Sequence, residues 1–366
     1  MRRELKELLI CPVYGSKLEF IELEISADNH VLTGIFHSPQ GLIYPVINGV
    51  PRMLRSALAI FEEFSKSHEK VISGLNPDPD NFKLDPIFAR DFLPTMQQFG
   101  TEWGKHNLKG KTWGWNQEER IDKYLEYMQL ERKKYQGRKF LDLGAGTGQF
   151  TCTLAKELEC EMVGVDLSPA IELGERLRMS EFPDTKVSFV QANLMEMPFA
   201  KDSFEFVHAS GVLHHTPDTH LAFKRVSPLV QENGKLGVWL YRPSDTLIPL
   251  IPFIKSPKFC LRADRLRPMT STMNPKLLYI VIKIYATFFH LVYKLNELFR
   301  KKKHEQSIAE RTTSLFDTLA PTFVYKHGAN EVFSWFNEEG YEDLVETDQE
   351  NVSGFNVCGV KRTKKD

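Results

Sequence analysis

Residues 140–150 read Phe-Leu-Asp-Leu-Gly-Ala-Gly-Thr-Gly-Gln-Phe. Gly144, Gly146 and Gly148 stand at alternate positions behind a short apolar run, and a helical pattern of Phe150, Leu154, Ala155 and Leu158 follows. The apolar run suits a buried parallel strand. Glycine lets a backbone approach a ligand where any Cβ would intrude. Strand, glycine loop and helix in that order open the ligand site of a doubly wound α/β sheet. The next apolar run, Met162-Val163-Gly164-Val165-Asp166, ends in an acid. Asp166 stands near the ~20-residue offset at which a carboxylate meets ribose hydroxyls. The chemistry on offer is therefore the holding of a nucleoside. The spacing is G-x-G-x-G, and Gln149 occupies the place of a dinucleotide fingerprint's third glycine. A pyrophosphate wants that glycine beside the helix start, which counts against a nicotinamide-dependent oxidoreductase.

Three further stretches follow in order: Asn193-Leu194-Met195-Glu196-Met197-Pro198-Phe199, Asp202-Ser203-Phe204-Glu205, and Val212-Leu213-His214-His215-Thr216-Pro217-Asp218. With the glycine loop and Val163–Ser168, they resemble the class I S-adenosylmethionine (SAM) methyltransferases, type 11-like, over about residues 138–241 and again at the C-terminus. The resemblance implies an α/β fold with a doubly wound, Rossmann-like seven-stranded sheet ordered 3-2-1-4-5-7-6. It implies SAM as cofactor, held by Asp142, Gly144, Ala145, Gly146, Gly148, Asp166, Leu167, Asn193 and Leu194. Asp142 would accept from the cofactor's amino group directly or through water, and Asp166 from both ribose hydroxyls. Position 193 is usually Asp in the family, and Asn can still accept from the adenine amino group through its carbonyl oxygen. Leu167 and Leu194 would sandwich the adenine. Each residue has a plainer alternative: the glycines could serve helix–strand packing, Asp166 could cap the next helix, and the leucines could be ordinary core.

Methyl transfer from a sulfonium is an in-line displacement needing the acceptor about 3 Å from the methyl. A hydroxyl or amine acceptor must also lose a proton. His214 and His215 follow the fourth strand at the carboxyl edge of the sheet, where open α/β sheets bind ligands. Either imidazole could be a general base near neutral pH, or could merely pack or bond a carbonyl. The reaction class expected is methyl transfer to a small-molecule, glycan or lipid-linked acceptor at oxygen or nitrogen. The alternative is a SAM-binding regulatory or scaffolding protein without turnover.

The elements that must position these residues divide the 366-residue chain into five stretches. Residues 1–55 resemble a separate zinc-ribbon-like β module. The positions matching its four metal ligands are Cys11, Tyr14, His37 and Gln40. Since a structural zinc wants four good ligands, the metal is expected to be lost. Residues 56–137 are a connecting arm containing Phe99-Gly100-Thr101-Glu102-Trp103, Trp113 and Trp115, with a helix expected from about Gln117 to Tyr135. These tryptophans either pack the arm onto the main domain, the commoner use, or wall the acceptor pocket. Residues 138–241 hold the cofactor half, with strands expected at 139–143, 161–166, 187–191, 203–209 and 235–241. Helices are expected between them at about 148–158, 169–179 and 217–230, the second with Ser168 as cap.

Residues 242–325 are a helical insertion built on a helix over about 275–302, and 326–366 close the fold with a helix and a hairpin. In the long helix Lys276, Lys283, His290 and Glu297 recur every seven residues as one narrow polar stripe. So narrow a stripe is wrong for a helix lying on a soluble surface. The expected cover is the acceptor pocket, with Ile284 and Phe288 in a lid. A second copy of the chain and peripheral membrane contact through 275–303 are the alternatives, and a bilayer-spanning role is opposed by Lys283 and His290.

With 47 Lys and Arg against 48 Asp and Glu, the chain has no overall basic field, and no nucleic-acid partner is expected. The five cysteines are scattered and odd in number, which suits a reducing, cytoplasmic setting. No apolar run follows the first residues, so no signal peptide is expected. The sequence leaves the oligomeric state open.

Overall fold

A computed structural model describes residues 1–105, 117–244, 246–249, 260–300, 307–348 and 353–363. Trp113, Trp115 and Lys301–Lys303 lie outside the described residues. Four strands come first: β1 (Glu19–Ile25), β2 (Val31–His37), β3 (Ile43–Ile47) and β4 (Val50–Met53). Five follow the glycine-rich chain: β5 (Lys139–Leu143), β6 (Glu161–Asp166), β7 (Val187–Ala192), β8 (Phe204–Ser210) and β9 (Val230–Tyr241). A small hairpin, β10 (Leu247–Pro249) with β11 (Cys260–Arg262), stands apart. The strands β12 (Tyr341–Asp348) and β13 (Gly354–Lys361) return to the main sheet.

That sheet runs β1-β2-β3-β4-β7-β6-β5-β8-β9-β13-β12. From β7 onward the order is 3-2-1-4-5-7-6, counting β5 as the first strand. The sheet has eleven strands rather than seven, and the N-terminal module is not separate. β4 pairs in parallel with β7, Arg52 opposite Gln191 and Met53 opposite Ala192. An unpaired strand edge must be covered or blunted, and here the N-terminal meander covers it. One apolar core runs through both parts, taking in Phe36 and Tyr44 as well as Val190 and Phe199.

A buried cation fixes this junction. The Arg52 guanidinium donates to Gln191 Oε1 at 2.8 Å and to the Ile47 carbonyl at 3.2 Å, pairs with Glu172, and lies 5.0 Å from the Phe61 ring centre. The sequence gives no signal for this residue, because an arginine in a β run reads as surface. Removing one partner of a buried pair strands the other charge, at a cost of about 3–5 kcal/mol. Arg52→Ala is expected to lower the unfolding free energy toward the lower end of that range, Glu172 being partly exposed. Urea denaturation reads it, and an unchanged midpoint would contradict the role.

The four ribbon positions each have contacts of their own. Cys11 Sγ lies 3.2 Å from the Tyr44 hydroxyl, His37 Nε2 lies 3.3 Å from Glu19, Gln40 accepts from Ser16, and Tyr14 is exposed.

The helices are α1 (Ala57–Ile60), α2 (Glu62–Ser67), α3 (Glu69–Ser73), α4 (Leu93–Trp103), α5 (Gln117–Tyr127), α6 (Gln149–Leu158), α7 (Ile171–Glu181), α8 (Thr219–Val226), α9 (Ala263–Thr270), α10 (Pro275–Arg300), α11 (Ile308–Leu319) and α12 (Ala329–Glu338). α5 stops short of the expected Tyr135 because Gln129 turns left-handed at φ 51° and the Leu130 N–H bonds back to Leu125. α8 is shorter than expected, its Asp218 side chain capping the start and a 3₁₀ turn containing Pro228 following its end. α7 begins at Ile171, and Ser168 does not cap it with its side chain.

The lid expectation for α10 is not met at the two residues it named. Ile284 is 65% exposed and Phe288 55% exposed. The opposite face, with Leu278, Ile282, Ala286 and Phe289, is the buried one. Leu278 and Ile282 pack with Phe316 and Leu319 of α11 in a small core of their own. The sequence periodicity established an apolar helix but not which side the protein would cover.

Candidate active site

β5, β6, β7 and β8 are parallel, so their carboxyl ends share one edge. The loop after β5 crosses that edge. The N–H groups of Gly144 and Ala145 both donate to the Val165 carbonyl, at 2.7 and 3.0 Å. Gly146 and Gly148 have φ of 54° and 70°, where a side chain is strained. The Gly146 N–H donates to Asp166 Oδ2 at 2.8 Å, and the Ser168 N–H to Asp166 Oδ1 at 2.7 Å. The acid at the end of β6 thus holds the glycine loop and turns its own strand into α7. Each carboxylate oxygen keeps a second lone pair for a hydroxyl donor. Burial pushes the Asp166 carboxyl up from its ordinary value, and the two N–H bonds pull it back.

Asp142 lies behind the loop. Its Oδ2 accepts from Thr151 Oγ1 at 2.6 Å, and its Oδ1 lies 3.3 Å from His208 Nδ1. Arg120 of α5 is half-buried near it, its guanidinium 5.2 Å from the Phe150 ring centre and its pKa lowered to about 10 by desolvation. Asn193 follows β7 and its Oδ1 accepts from the Met195 N–H at 3.1 Å. Leu194 is buried in the main core. Leu167 is half-buried against a satellite core with Leu54, Phe88 and Met96. Ala145 packs against the core under α6.

The helix that meets the glycine loop is α4. A Cβ placed on Gly146 would stand 3.4 Å from the Trp103 ring, and one on Gly100 would stand 3.0 Å from Pro169. Phe99 meets His215 edge-on at 5.2 Å between ring centres. One helix face therefore spans the glycine loop, the start of α7 and the turn after β8. Of the two readings of the arm's aromatics, the packing one holds for Trp103, which lies against the glycine loop.

His214 and His215 sit together, ring centres 4.3 Å apart, and Tyr241 lies 4.2 Å from His214. His215 Nδ1 bonds the Phe323 carbonyl at 2.8 Å. Burial lowers both imidazoles from their ordinary value, His214 strongly, so each is neutral at pH 7 and a weak base. Two carboxylates that the sequence reading missed complete the cluster. Asp317 of α11 accepts from the Tyr241 hydroxyl at 2.6 Å. Glu102 of α4 is 2% exposed, and burial followed by the neighbouring Asp317 charge raises its carboxyl well above the ordinary range. No local motif marks these residues, which lie far apart in the chain and meet only through tertiary packing.

Glu102 stays protonated in the folded protein at pH values where the unfolded chain has released that proton. Its stabilising contribution is full below the ordinary carboxylate range and is lost as pH rises to the raised folded value. In that window wild-type stability should fall by up to about 1.4 kcal/mol per pH unit from this group. Glu102→Gln should remove this slope in denaturant titrations across pH, and a slope equal to wild type would contradict the assignment.

Residues 141–238 match the family model described as a methyltransferase domain. A cycloartenol-C-24-methyltransferase of Arabidopsis thaliana is 27% identical over 161 residues, 43% of this chain and 47% of the relative. A demethylmenaquinone methyltransferase of Lactococcus lactis is 28% identical over 169 residues, 45% of this chain and 65% of the relative. A malonyl-[acyl-carrier protein] O-methyltransferase of Legionella pneumophila is 32% identical over 111 residues, 30% of this chain and 38% of the relative. The chain thus spans less than two thirds of the length of these curated relatives. Among solved structures, the magnesium protoporphyrin IX methyltransferase of Synechocystis PCC 6803 with bound SAM overlaps 71% of this chain and 89% of its own, at 10% identity and a TM-score of 0.41. Motif, strand order and family match together define a class I methyltransferase domain within this chain. SAM is the cofactor of that domain class.

Proposed function

We propose that the chain is a SAM-dependent methyltransferase acting on a small-molecule, glycan or lipid-linked acceptor at oxygen or nitrogen. The observation that carries this reading is the glycine loop bonded to the strand-end carboxylate, Gly146 N–H to Asp166 Oδ2. A Cβ at Gly146 would already touch the Trp103 ring, so the loop presents bare backbone beside an aromatic ring. Such a cradle fits a nucleoside, with Asp166 accepting from the ribose hydroxyls through its spare lone pairs. Bound there, SAM supplies an electrophilic methyl group. Gly144–Gly148 bring backbone close to the cofactor, Asp142 stands behind them, and Asn193 offers an amide to the adenine. Leu167 and Leu194 would flank the adenine, Leu194 from its place in the main core.

The acceptor belongs between the glycine loop and the cluster under α4. Trp103 and Phe99 exclude water there. His214 is neutral and can accept a hydrogen bond that orients the acceptor. The acceptor's proton passes to Asp317 through the Tyr241 hydroxyl. Incubation with methyl-labelled SAM and a panel of alcohol, amine and lipid-linked acceptors tests the reading, and label in a product supports it. With the acceptor so found, Asp317→Asn should lower kcat about a hundredfold and leave SAM affinity unchanged. An unaltered kcat would remove Asp317 from the proton path.

A second reading, SAM binding without turnover, is favoured by Asn193, whose side-chain oxygen is engaged by its own loop. SAM binding with no labelled product from any acceptor class would favour it.

A further inference from the structure

α10 leaves one face uncovered. Leu277, Ile280, Val281, Ile284, Phe288, Leu291 and Leu295 are each about half exposed or more. At 3.6 residues per turn they fall within an arc of roughly 100° and form a stripe about 27 Å long. A contiguous apolar patch of that size on a soluble domain marks an interaction surface. By length and composition Pro275–Leu295 could cross a membrane. Its other side is occupied by protein, however, with Leu278, Ile282, Ala286 and Phe289 buried.

Charge decides between the available partners. From Lys255 to Lys303 the sequence holds twelve Lys and Arg against two acids, Asp264 and Glu297. The whole chain holds 47 against 48, so the rest of it is acidic. By helix geometry Lys276, Lys283 and Lys294 line one flank of the apolar stripe, and all three are exposed. A second copy docked symmetrically through α10 would set two strongly basic segments against each other. An anionic bilayer would attract the same segment, at about fivefold in affinity for each cation near the surface. Lysines beside an apolar face can bury their stems and keep their ammonium groups among lipid headgroups. An interfacial helix ordinarily needs a broad polar face turned to water. Here that side is packed on α11, so the requirement lapses.

We propose that α10 is a membrane-docking surface. It lies in the plane of an anionic lipid interface with Leu277–Leu295 inserted and Lys276, Lys283 and Lys294 at the headgroups. The inference does not depend on methyl transfer.

Flotation of the full chain with vesicles tests it, comparing phosphatidylcholine alone with vesicles containing roughly 30 mol % phosphatidylglycerol. The protein should float with the anionic vesicles and not with the neutral ones, and high salt should weaken binding. Ile284→Asp with Phe288→Asp should abolish flotation. Both positions are exposed, and an unchanged circular dichroism spectrum and thermal midpoint confirm the folded state. Lys276→Glu with Lys283→Glu should weaken binding at least twentyfold, since each charge is reversed and not merely removed. Absence of flotation, or equal flotation with neutral vesicles, would overturn the proposal. So would a dimer in sedimentation velocity that dissociates on Ile284→Asp, because the stripe would then belong to a second copy.

Discussion

Asp166→Ala is expected to weaken SAM binding about ten- to a hundredfold. A hydrogen bond to a charged acceptor contributes about 1.5–3 kcal/mol. Asp166 stands at the strand end with both oxygens accepting from backbone and with lone pairs to spare. The same geometry predicts a second effect. Without the carboxylate, the buried N–H groups of Gly146 and Ser168 lose their partner, which costs about 1–3 kcal/mol for each group left unsatisfied. The Ala variant should therefore lose stability as well as affinity. Asp166→Asn, which retains one acceptor oxygen, should recover part of both. Calorimetric titration with SAM and urea denaturation read the two effects separately. Wild-type affinity in a folded Ala variant would remove Asp166 from the cofactor site.

Gly148→Ala should also lower stability strongly. The residue has φ of 70°, and a Cβ there would meet Phe189 Cζ at 2.5 Å and Gly174 Cα at 2.6 Å. The left-handed backbone costs an L-residue roughly 1–2 kcal/mol, and forcing a methyl into a packed core adds about 1–3 kcal/mol. Gly174 is backbone of α7 and cannot swing aside, so the first turn of α6 must separate from α7. The expected loss of unfolding free energy is about 3–4 kcal/mol, with SAM affinity falling as the loop shifts. A variant as stable as wild type would mean that α6 and α7 pack with slack the structure does not show.

The cofactor half was legible in the sequence because its chemistry is local. Gly144, Gly146 and Gly148 sit within five residues, and each parallel strand is a short apolar run with a turn signal behind it. The expected bounds of β5 and β6 match those observed, and the hairpin of β12 and β13 closes the sheet in the expected order. What was not legible depends on long-range contact. The joining of β4 to β7 hangs on Arg52, whose partners Gln191 and Glu172 lie more than a hundred residues away. The cluster of Glu102, Tyr241 and Asp317 is drawn from an arm, a strand end and an insertion, and no spacing rule connects them. The long apolar helix was found by its period, yet a period cannot say which face the protein will bury. The lid was accordingly assigned to the α10 face that carries Ile284 and Phe288, which is exposed, whereas the aromatic residue against the glycine loop is Trp103 of α4.

Isothermal titration of the full chain with SAM, alongside NAD⁺ under the same conditions, tests the central claim most directly. The G-x-G-x-G loop, with Gln149 opening α6, predicts one SAM site per chain, competed by S-adenosylhomocysteine, and no heat of binding from NAD⁺. Saturable NAD⁺ binding with none for SAM would contradict it.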